Sequence, residues 1–331
     1  VSHCQFVLEV RASLLLLFVY YNILFGGIMI NYNLDRNSMD FNSTNIPINE
    51  SNFKPKFYVI FIIVLSIYYF FSPILSQIII NIFRNNFNFD ELNLLSELFY
   101  RLFLPNFSIL LILFLYILLI EERKLGFLFI GIKKNFALSN IKGLILSIIF
   151  LFLLVFVFII KDQVIFFKFN SEFSFTTVFQ LLLVFIFIYI EIFFLEILYR
   201  GWLINILNSR YNIYLSLVLA SLLFTLIYFI EYQRLGIYLL YVFIFNIFLS
   251  FMFLIYKNIF VVTSFHAFYK FLKQYVLSIE DMEIKLNSIF YTGIDINNAI
   301  YNIENSKYSL IIIISLTIVA FMIYNSKNKN N

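Results

Sequence analysis

Two ionisable residues near the end of a long apolar run are the first candidates for chemistry in this chain. Glu196 and Arg200 lie at the end of the run from Thr177 to Tyr199, which is long enough to cross a bilayer. An ionisable side chain at membrane depth costs roughly 2.5–3.5 kcal/mol on insertion scales, so it usually faces a partner, a cavity or a reaction. Because the two residues are four apart, they share one helix face and can form an ion pair.

Two later apolar segments present polar groups with the same spacing. Phe224 and Tyr228 are four apart in one segment, and His266 and Lys270 are four apart in the other. Unpaired polar groups are costly in an apolar setting, so the polar faces of these segments should meet. We therefore expect Glu196 to cluster with Tyr228 and His266.

The elements that must position these residues are membrane-spanning helices. The chain has 331 residues, of which 62% are hydrophobic and 13% are charged, and this is too apolar for a soluble domain. Apolar runs of about 18–24 residues recur along it, which predicts an all-α, polytopic helical membrane protein with eight or nine transmembrane helices. The predicted spans are 13–31, 57–82, 102–120, 142–161, 177–199, 213–230, 235–256, 258–276 and 308–325.

Charge and cysteine content exclude several classes of protein. The net charge of +4 is spread over loops without the basic cluster that nucleic acid requires, so nucleic acid is not an expected partner, whereas membrane lipid is. The single cysteine, Cys4, excludes a disulfide framework and a cysteine metal site.

The distribution of Lys and Arg predicts the orientation in the membrane. The loop 121–141 contains Arg123 and Lys124 together with two further lysines, which places it in the cytoplasm. Successive spans then place the acidic segment 277–307 outside and the C-terminus in the cytoplasm. The expected location is a bacterial-type cytoplasmic membrane.

The chain divides into four regions. Residues 1–28 contain no Lys and differ in composition from the Asn-rich sequence that begins at Met29. They are a first span, a segment translated from upstream of the true start, or a cleaved signal peptide. Residues 29–119 form an N-terminal transmembrane region, and residues 120–276 contain every candidate site residue. Residues 277–331 comprise the acidic loop and a last transmembrane helix.

The order of the polar motifs resembles a known family. Carboxylates followed by x3-Arg-Gly, then Phe-x3-His, then His-x3-Asn, is the pattern of the CPBP intramembrane proteases, the CAAX-processing and bacteriocin-related membrane endopeptidases also called the Abi family. The resemblance covers roughly residues 120–275. It is carried by Glu196, Arg200, Gly201, Phe224 and His266 and by the flanking stretches Lys124-Leu-Gly126, Ile132 to Gly143, Ser221-Leu-Leu-Phe224 and Thr263-Ser-Phe-His266-Ala267.

Three positions depart from the family pattern. Leu195 stands where the first of two adjacent glutamates is expected, Tyr228 stands in place of the second motif's His, and Lys270 in place of the third motif's Asn. The resemblance implies that the first Glu and the second-motif His activate a water, while the third-motif His and Asn stabilise the oxyanion. Leu195 supplies no base, and Tyr228, with a reference pKa near 10, is a poor one at neutral pH. The implied protein is a degenerate pseudoprotease that binds a membrane-anchored or prenylated peptide or has an immunity-type role.

Three alternatives remain open from the sequence. Glu191 lies one turn before Leu195 and about 40° around the helix, so it is a candidate substitute base. An active protease would then use Glu191 or Glu196 with His266. A transporter would instead use these residues as an ion path. In the third alternative they have no chemical role: Glu196 and Arg200 form a buried structural ion pair, and Lys270 is a charge at the membrane interface.

No cofactor is expected. A metal has been proposed for the family, but a zinc site needs about three protein ligands. Here Glu196 and His266 are the obvious candidates, so the sequence predicts no metal.

Overall fold

The computed structural model describes most of the chain after the N-terminal region. The described residues are 54–86, 94–123, 125–129, 135–160, 164–170, 174–233, 236–278, 288–294, 304 and 306–329. The predicted span 13–31 lies outside them, as do the region 1–28 and most of the acidic segment 277–307.

Eight helices run through the described part of the chain, and we number them in chain order. Seven are long and apolar enough to cross a membrane, and α7 is the shorter eighth. Their bounds are α1, Phe57–Ser66 continuing as Ile67–Phe71 and Ser72–Asn86; α2, Leu94–Leu119; α3, Phe136–Ile160; α4, Phe175–Asn208; α5, Ile213–Tyr232; α6, Ile237–Tyr256; α7, Ile259–Phe271 continuing as Leu272–Val276; and α8, Lys307–Lys329.

The all-α, multi-pass architecture is confirmed, and the boundaries differ at three helices. Helix α2 begins at Leu94 rather than at residue 102, and α3 begins at Phe136 rather than at 142. Helix α4 continues through Gly201 to Asn208, because polar Arg200 and Asn205 are buried inside the protein and need not mark a membrane boundary. A two-stranded antiparallel sheet, which the apolar periodicity did not predict, pairs β1 (Val164–Phe169) with β2 (Phe290–Ile294).

Short polar side chains cap the N-termini of three helices that contain the candidate site residues. Ser174 forms a capping box with Thr177 at the start of α4, and Asn212 accepts a hydrogen bond from the Leu215 amide at the start of α5. Asn258 accepts one from the Phe260 amide at the start of α7. Each cap satisfies a backbone donor that would otherwise be unpaired near the membrane.

Parts of four helices are π-helical. In α4 the π-helical segment is Ile197–Leu203 and contains Arg200, and in α7 it is Leu272–Val276 and contains Lys273. Insertions of this kind are frequent at functional sites because they re-aim side chains on the turns around them. The segment Phe99–Phe103 of α2 similarly carries Arg101.

In the core, α7 packs against α3 and α4, and α6 packs against α8 and α5. Helix α6 is the most buried of the seven candidate spans. Helix α7 crosses α3 at Gly143, where an added Cβ would lie 2.5 Å from the Val261 carbonyl oxygen and 2.7 Å from the Phe265 amide nitrogen. Only a residue without a side chain permits this approach, and the approach fixes the position of His266 on α7.

Candidate functional site

A cavity of about 570 Å³ lies among α1, α2 and α4 to α7. Its lining combines apolar side chains with tyrosines and ionisable groups. All six candidate site residues line it or contact a residue that does: Glu191, Tyr228, His266 and Lys270 face the cavity, Glu196 contacts His266, and Arg200 contacts Asn246. Arg200, the sixth, is buried next to Glu196.

Glu196 is the centre of the buried polar cluster. Its Oε1 atom lies 2.9 Å from His266 Nδ1, and its Oε2 atom lies 3.1 Å from Arg200 Nη1. Glu196 and Arg200 are almost completely excluded from solvent. The Oε1 atom is thus within hydrogen-bonding distance of the ring, whereas Oε2 has an ion-pair contact with Arg200 but no hydrogen bond. The negative charge of Glu196 is balanced inside the core by Arg200.

Asn246 on α6 fixes the other side of Arg200. Arg200 Nη2 donates to Asn246 Oδ1 at 2.8 Å and to the Asn246 carbonyl oxygen at 3.3 Å. The amide nitrogen of Asn246 in turn donates to the Val242 carbonyl oxygen at 2.9 Å. Helices α4, α6 and α7 are thus joined through one network of charged and amide groups.

The contact with Glu196 assigns the tautomer of His266. An ionised carboxylate only accepts hydrogen bonds, so the proton between the two groups belongs to Nδ1. Arg200 already balances the charge of Glu196, and a second positive charge on the ring would be unpaired in an apolar interior. The ring is then neutral, with Nε2 as an acceptor, while an edge-on contact with Phe245 at 5.6 Å holds its plane.

The substitute base considered from the sequence is engaged in a second ion pair. Lys270 Nζ lies 3.0 Å from Glu191 Oε1 and 3.1 Å from Oε2, so the ammonium group contacts both carboxylate oxygens. Both residues line the cavity, Glu191 from α4 and Lys270 from the neighbouring helix α7. Lys270 is therefore the partner of Glu191, which accounts for its presence at membrane depth without an oxyanion role.

Leu195 and Tyr228 occupy the remaining motif positions. Leu195 is an apolar part of the cavity wall. The Tyr228 hydroxyl shares a hydrogen bond with the Tyr238 hydroxyl, and its ring stacks on Tyr232 at 4.3 Å between centroids. Tyr228 is thus fixed by other tyrosines rather than directed at His266.

Sequence reasoning missed a third ion pair in the cavity wall. Lys273 Nζ lies 2.6 Å from Glu304 Oε1, which also accepts a hydrogen bond from the Tyr269 hydroxyl at 2.8 Å. Glu304 precedes α8 in sequence, and nothing in its neighbourhood signals this contact. Asn246 was also missed, although an isolated amide inside the apolar run 235–256 was a usable signal.

The residues present do not fit the metal proposed for the family. Among the described residues, no three His, Cys, Asp or Glu side chains lie close enough together to hold a metal ion. The two candidates from the sequence contact each other through Glu196 Oε1 and His266 Nδ1, and the positive charge of Arg200 lies 3.1 Å from Glu196 Oε2, where it would repel a metal ion. The expectation of a metal-free site stays a prediction.

The comparison with known families matches the helices that form the cluster. Residues 173–272 match the family described as type II CAAX prenyl endopeptidase Rce1-like. This range begins just before α4 and ends within α7, so it includes Glu196, Arg200, Tyr228, His266 and Lys270. We call the matched range, which is similar to this family and covers less than a third of the chain, the CAAX-endopeptidase-like core. No curated protein matches the chain in sequence.

Residues outside the matched range also line the cavity. Helices α1 and α2 contribute Tyr68 and Arg101 to the cavity wall, and Glu304 does so from the residues before α8. Together with the seven candidate spans, the core makes this a multi-pass membrane protein related in pattern to membrane proteases.

We expect the Glu196→Ala or Arg200→Ala change alone to destabilise the protein more than the double change does. Removing one partner of a buried ion pair leaves the other charge uncompensated, at about 3–5 kcal/mol. A double-mutant cycle on thermal stability in detergent measures the coupling.

The chain provides a matched control pair with the same residue types and spacing. Glu97 and Arg101 are also four apart and lie 3.2 Å from each other, but the arginine side chain is mostly exposed. The coupling there should be about 0.3–0.5 kcal/mol. Additive losses at Glu196 and Arg200, or equal coupling in the two pairs, would contradict the assignment of the buried pair.

Proposed function

We propose that this protein is a membrane-embedded peptide-binding pseudoprotease of the CPBP type. It keeps the cavity of a CAAX-endopeptidase-like core and lacks peptidase activity. The observation that carries the proposal is that each carboxylate among the candidate site residues is neutralised by a protein cation, Glu196 by Arg200 and Glu191 by Lys270.

Peptide hydrolysis needs a base next to the attacking water. In the family pattern that base comes from the positions of Leu195 and Tyr228, and here one is an alkyl group and the other a phenol bonded to a second phenol. Glu191 is displaced by a full turn from Leu195 and bonded through both oxygens to Lys270. A displaced and ion-paired carboxylate does not replace the missing base, because general-base catalysis depends on position before pKa.

Hydrolysis also needs donors aimed at the developing oxyanion. The resemblance assigns that role to the third-motif His and Asn, whose positions are held here by His266 and Lys270. His266 donates its Nδ1 proton to Glu196, and the neutral ring offers an acceptor at Nε2. Lys270 donates to Glu191. Nε2 of His266 is therefore available to accept a hydrogen bond from a ligand rather than to donate one to an oxyanion.

The cavity itself fits a peptide ligand. Its volume of about 570 Å³ lies within the range of small-molecule and short-peptide pockets, and its wall mixes apolar groups with a few fixed polar ones. Tyrosine hydroxyls and His266 Nε2 offer hydrogen-bonding partners to a peptide backbone, while the apolar residues accept side chains or a lipid anchor. A membrane-anchored or prenylated peptide is the ligand class we propose.

One observation favours a second candidate function. The 2.9 Å contact between Glu196 and His266 resembles the carboxylate–imidazole pair of hydrolases, in which the carboxylate orients the ring and the other nitrogen acts as base. An active protease with a rearranged site would use His266 Nε2 in this way, with Glu196 in the orienting role. Glu191 is the less suitable of the two carboxylates for such a site, because both of its oxygens contact Lys270.

We further propose that the protein lies in a bacterial-type cytoplasmic membrane with its C-terminus in the cytoplasm. The support is the sequence between α2 and α3, which contains Arg123, Lys124, Lys133 and Lys134. Short loops rich in Lys and Arg remain on the cytoplasmic side.

We expect the unaltered protein, reconstituted in vesicles, to show no cleavage of prenylated or unprenylated membrane-anchored peptides above the background of empty vesicles. A combined variant that restores the family pattern, Leu195→Glu with Tyr228→His and Lys270→Asn, should gain activity, since a positioned base contributes about 10²–10⁴-fold. Glu191→Gln is included because Lys270→Asn would otherwise strand the Glu191 charge. Peptide products are measured by mass spectrometry.

The matched control for the restored variant is the same combination with Leu195→Gln, which has the shape of Glu without its charge. It should remain inactive. Cleavage by the unaltered protein that His266→Ala abolishes would overturn the pseudoprotease proposal and select the Glu196–His266 mechanism instead.

Peptide binding should depend on the cavity and not on the lipid-facing surface. Val242→Phe places a larger side chain in the cavity wall, whereas Val319→Phe makes the same change on an exposed face of α8. We expect the first to weaken binding of a fluorescent membrane-anchored peptide and the second to leave it unchanged. Equal affinity in both variants would show that the peptide binds elsewhere.

A further inference from the structure

A carboxylate in the cavity wall, that of Glu304, is held by groups from two helices. Lys273 Nζ lies 2.6 Å from Glu304 Oε1, and the Tyr269 hydroxyl donates to the same oxygen at 2.8 Å. The Tyr241 hydroxyl lies 3.1 Å from that of Tyr269. Because Tyr269 uses its own proton for Glu304, the proton between the two phenols belongs to Tyr241. Helices α6 and α7 therefore provide a cation and an ordered pair of hydroxyl groups for one carboxylate.

The contacts of Glu304 are shielded from solvent, yet the residues that form them border the cavity. The side chains of Lys273 and Glu304 are each 7% exposed. Both line the cavity, together with Tyr241 and Tyr269. The Lys273 ammonium group also lies 5.1 Å from the centroid of the Tyr269 ring, in a cation–π contact. Charge-assisted hydrogen bonds are strong where water is excluded, so this position is well suited to binding a carboxylate.

Glu304 comes from outside the CAAX-endopeptidase-like core. The matched range ends at residue 272, so it includes Tyr241 and Tyr269 but neither Lys273 nor Glu304. Glu304 lies after β2 and before the start of α8 at Lys307. The carboxylate thus reaches the cavity from a part of the chain that is distant in sequence, and it acts as a ligand that the protein itself supplies.

The presence of Glu304 determines which ligand charges this part of the cavity accepts. Its carboxylate balances the positive charge of Lys273. A ligand carboxylate would have to replace Glu304 beside Lys273 or remain close to a second negative charge, and like charges brought together weaken binding strongly. A neutral ligand segment meets neither obstacle.

We propose that Lys273, Tyr269 and Tyr241 form a carboxylate-binding subsite of the cavity, which Glu304 occupies as an internal ligand. Glu304 is then a specificity-determining residue, because it excludes peptides that present an acidic group to this subsite. The subsite rests on the contacts of Glu304 alone, whereas the exclusion of acidic peptides rests also on the peptide-binding function proposed above.

Removing the internal carboxylate and supplying a small one in solution tests the subsite. In the Glu304→Ala variant, we expect sodium acetate at neutral pH to raise the melting temperature in detergent, because acetate binds beside Lys273. The shift should grow with acetate concentration, as binding to the folded state requires. Acetamide has the same shape without the charge and should have little effect at equal ionic strength. The double variant Lys273→Met with Glu304→Ala should not respond to acetate, because the cation is absent.

The unaltered protein and the Glu97→Ala variant are the matched controls. Glu97 lies 3.2 Å from Arg101, but the Arg101 side chain is 62% exposed, so water solvates the arginine when Glu97 is removed. Neither control should be stabilised by acetate more than by acetamide. An absent response in Glu304→Ala, or an equal response in Glu304→Ala and the controls, overturns the carboxylate subsite.

Paired peptides test the specificity role. Membrane-anchored fluorescent peptides with one Glu at successive positions are each compared with the same peptide carrying Gln. At the position that meets the subsite, we expect the unaltered protein to bind the Gln peptide at least about tenfold more tightly, and the Glu304→Gln variant to lose or reverse this preference. Glu304→Gln keeps the shape of the side chain, so this test also applies if Glu304→Ala fails to fold.

The two measurements separate this inference from the peptide-binding function. Stabilisation of Glu304→Ala by acetate without binding of any peptide supports the subsite and overturns the peptide-binding function. A purely structural Glu304 would lower the melting temperature of Glu304→Gln and leave the ratio of the paired affinities unchanged at every position. That result supports peptide binding and overturns the specificity role.

Discussion

The packing of the core depends on neutralising one buried negative charge, that of Glu196. Glu196 lies inside an apolar bundle, and an uncompensated carboxylate there would cost far more than the protein's net stability allows. Arg200 supplies the opposite charge beside Oε2, Asn246 holds Arg200, and His266 lies within hydrogen-bonding distance of Oε1. These contacts join α4, α6 and α7, so the relative positions of three helices follow from the need to satisfy one side chain. Arg200 reaches its partners from the π-helical segment Ile197–Leu203.

The need to neutralise buried carboxylates also bears on whether they can take part in catalysis. A protease of this pattern needs a carboxylate or an imidazole that contacts a water, whereas Glu196 lies against His266 and Arg200 and is excluded from solvent. Lys270 neutralises Glu191 in a similar way. The walls of the cavity are formed by helix packing and include Leu195, Tyr228 and Lys270. The proposed pseudoprotease would bind a peptide without cleaving it, since binding depends on the cavity and catalysis on a positioned base.

The sequence predicted much of this arrangement because apolar length and residue spacing are local signals. The later spans followed from their apolar runs, and the spacing of four between Glu196 and Arg200 was enough to expect their ion pair. The partnership of Glu191 with Lys270 was not predicted, because it joins helices far apart in sequence. The contact of Glu304 with Lys273 had no local signal at all. Asn246 could have been singled out as a lone amide in an apolar run, yet its role depends on the path of Arg200.

The tautomer of His266 tests most directly the claim that Glu196 is committed to structural contacts. The chain has two histidines, so a His3→Gln variant labelled with nitrogen-15 histidine leaves one ring to observe by NMR. The account predicts a neutral ring with its proton on Nδ1, hydrogen-bonded to Glu196, and with Nε2 unprotonated. In the Glu196→Gln variant this proton should shift or exchange faster. A neutral ring protonated on Nε2, or a spectrum insensitive to Glu196→Gln, would contradict the account.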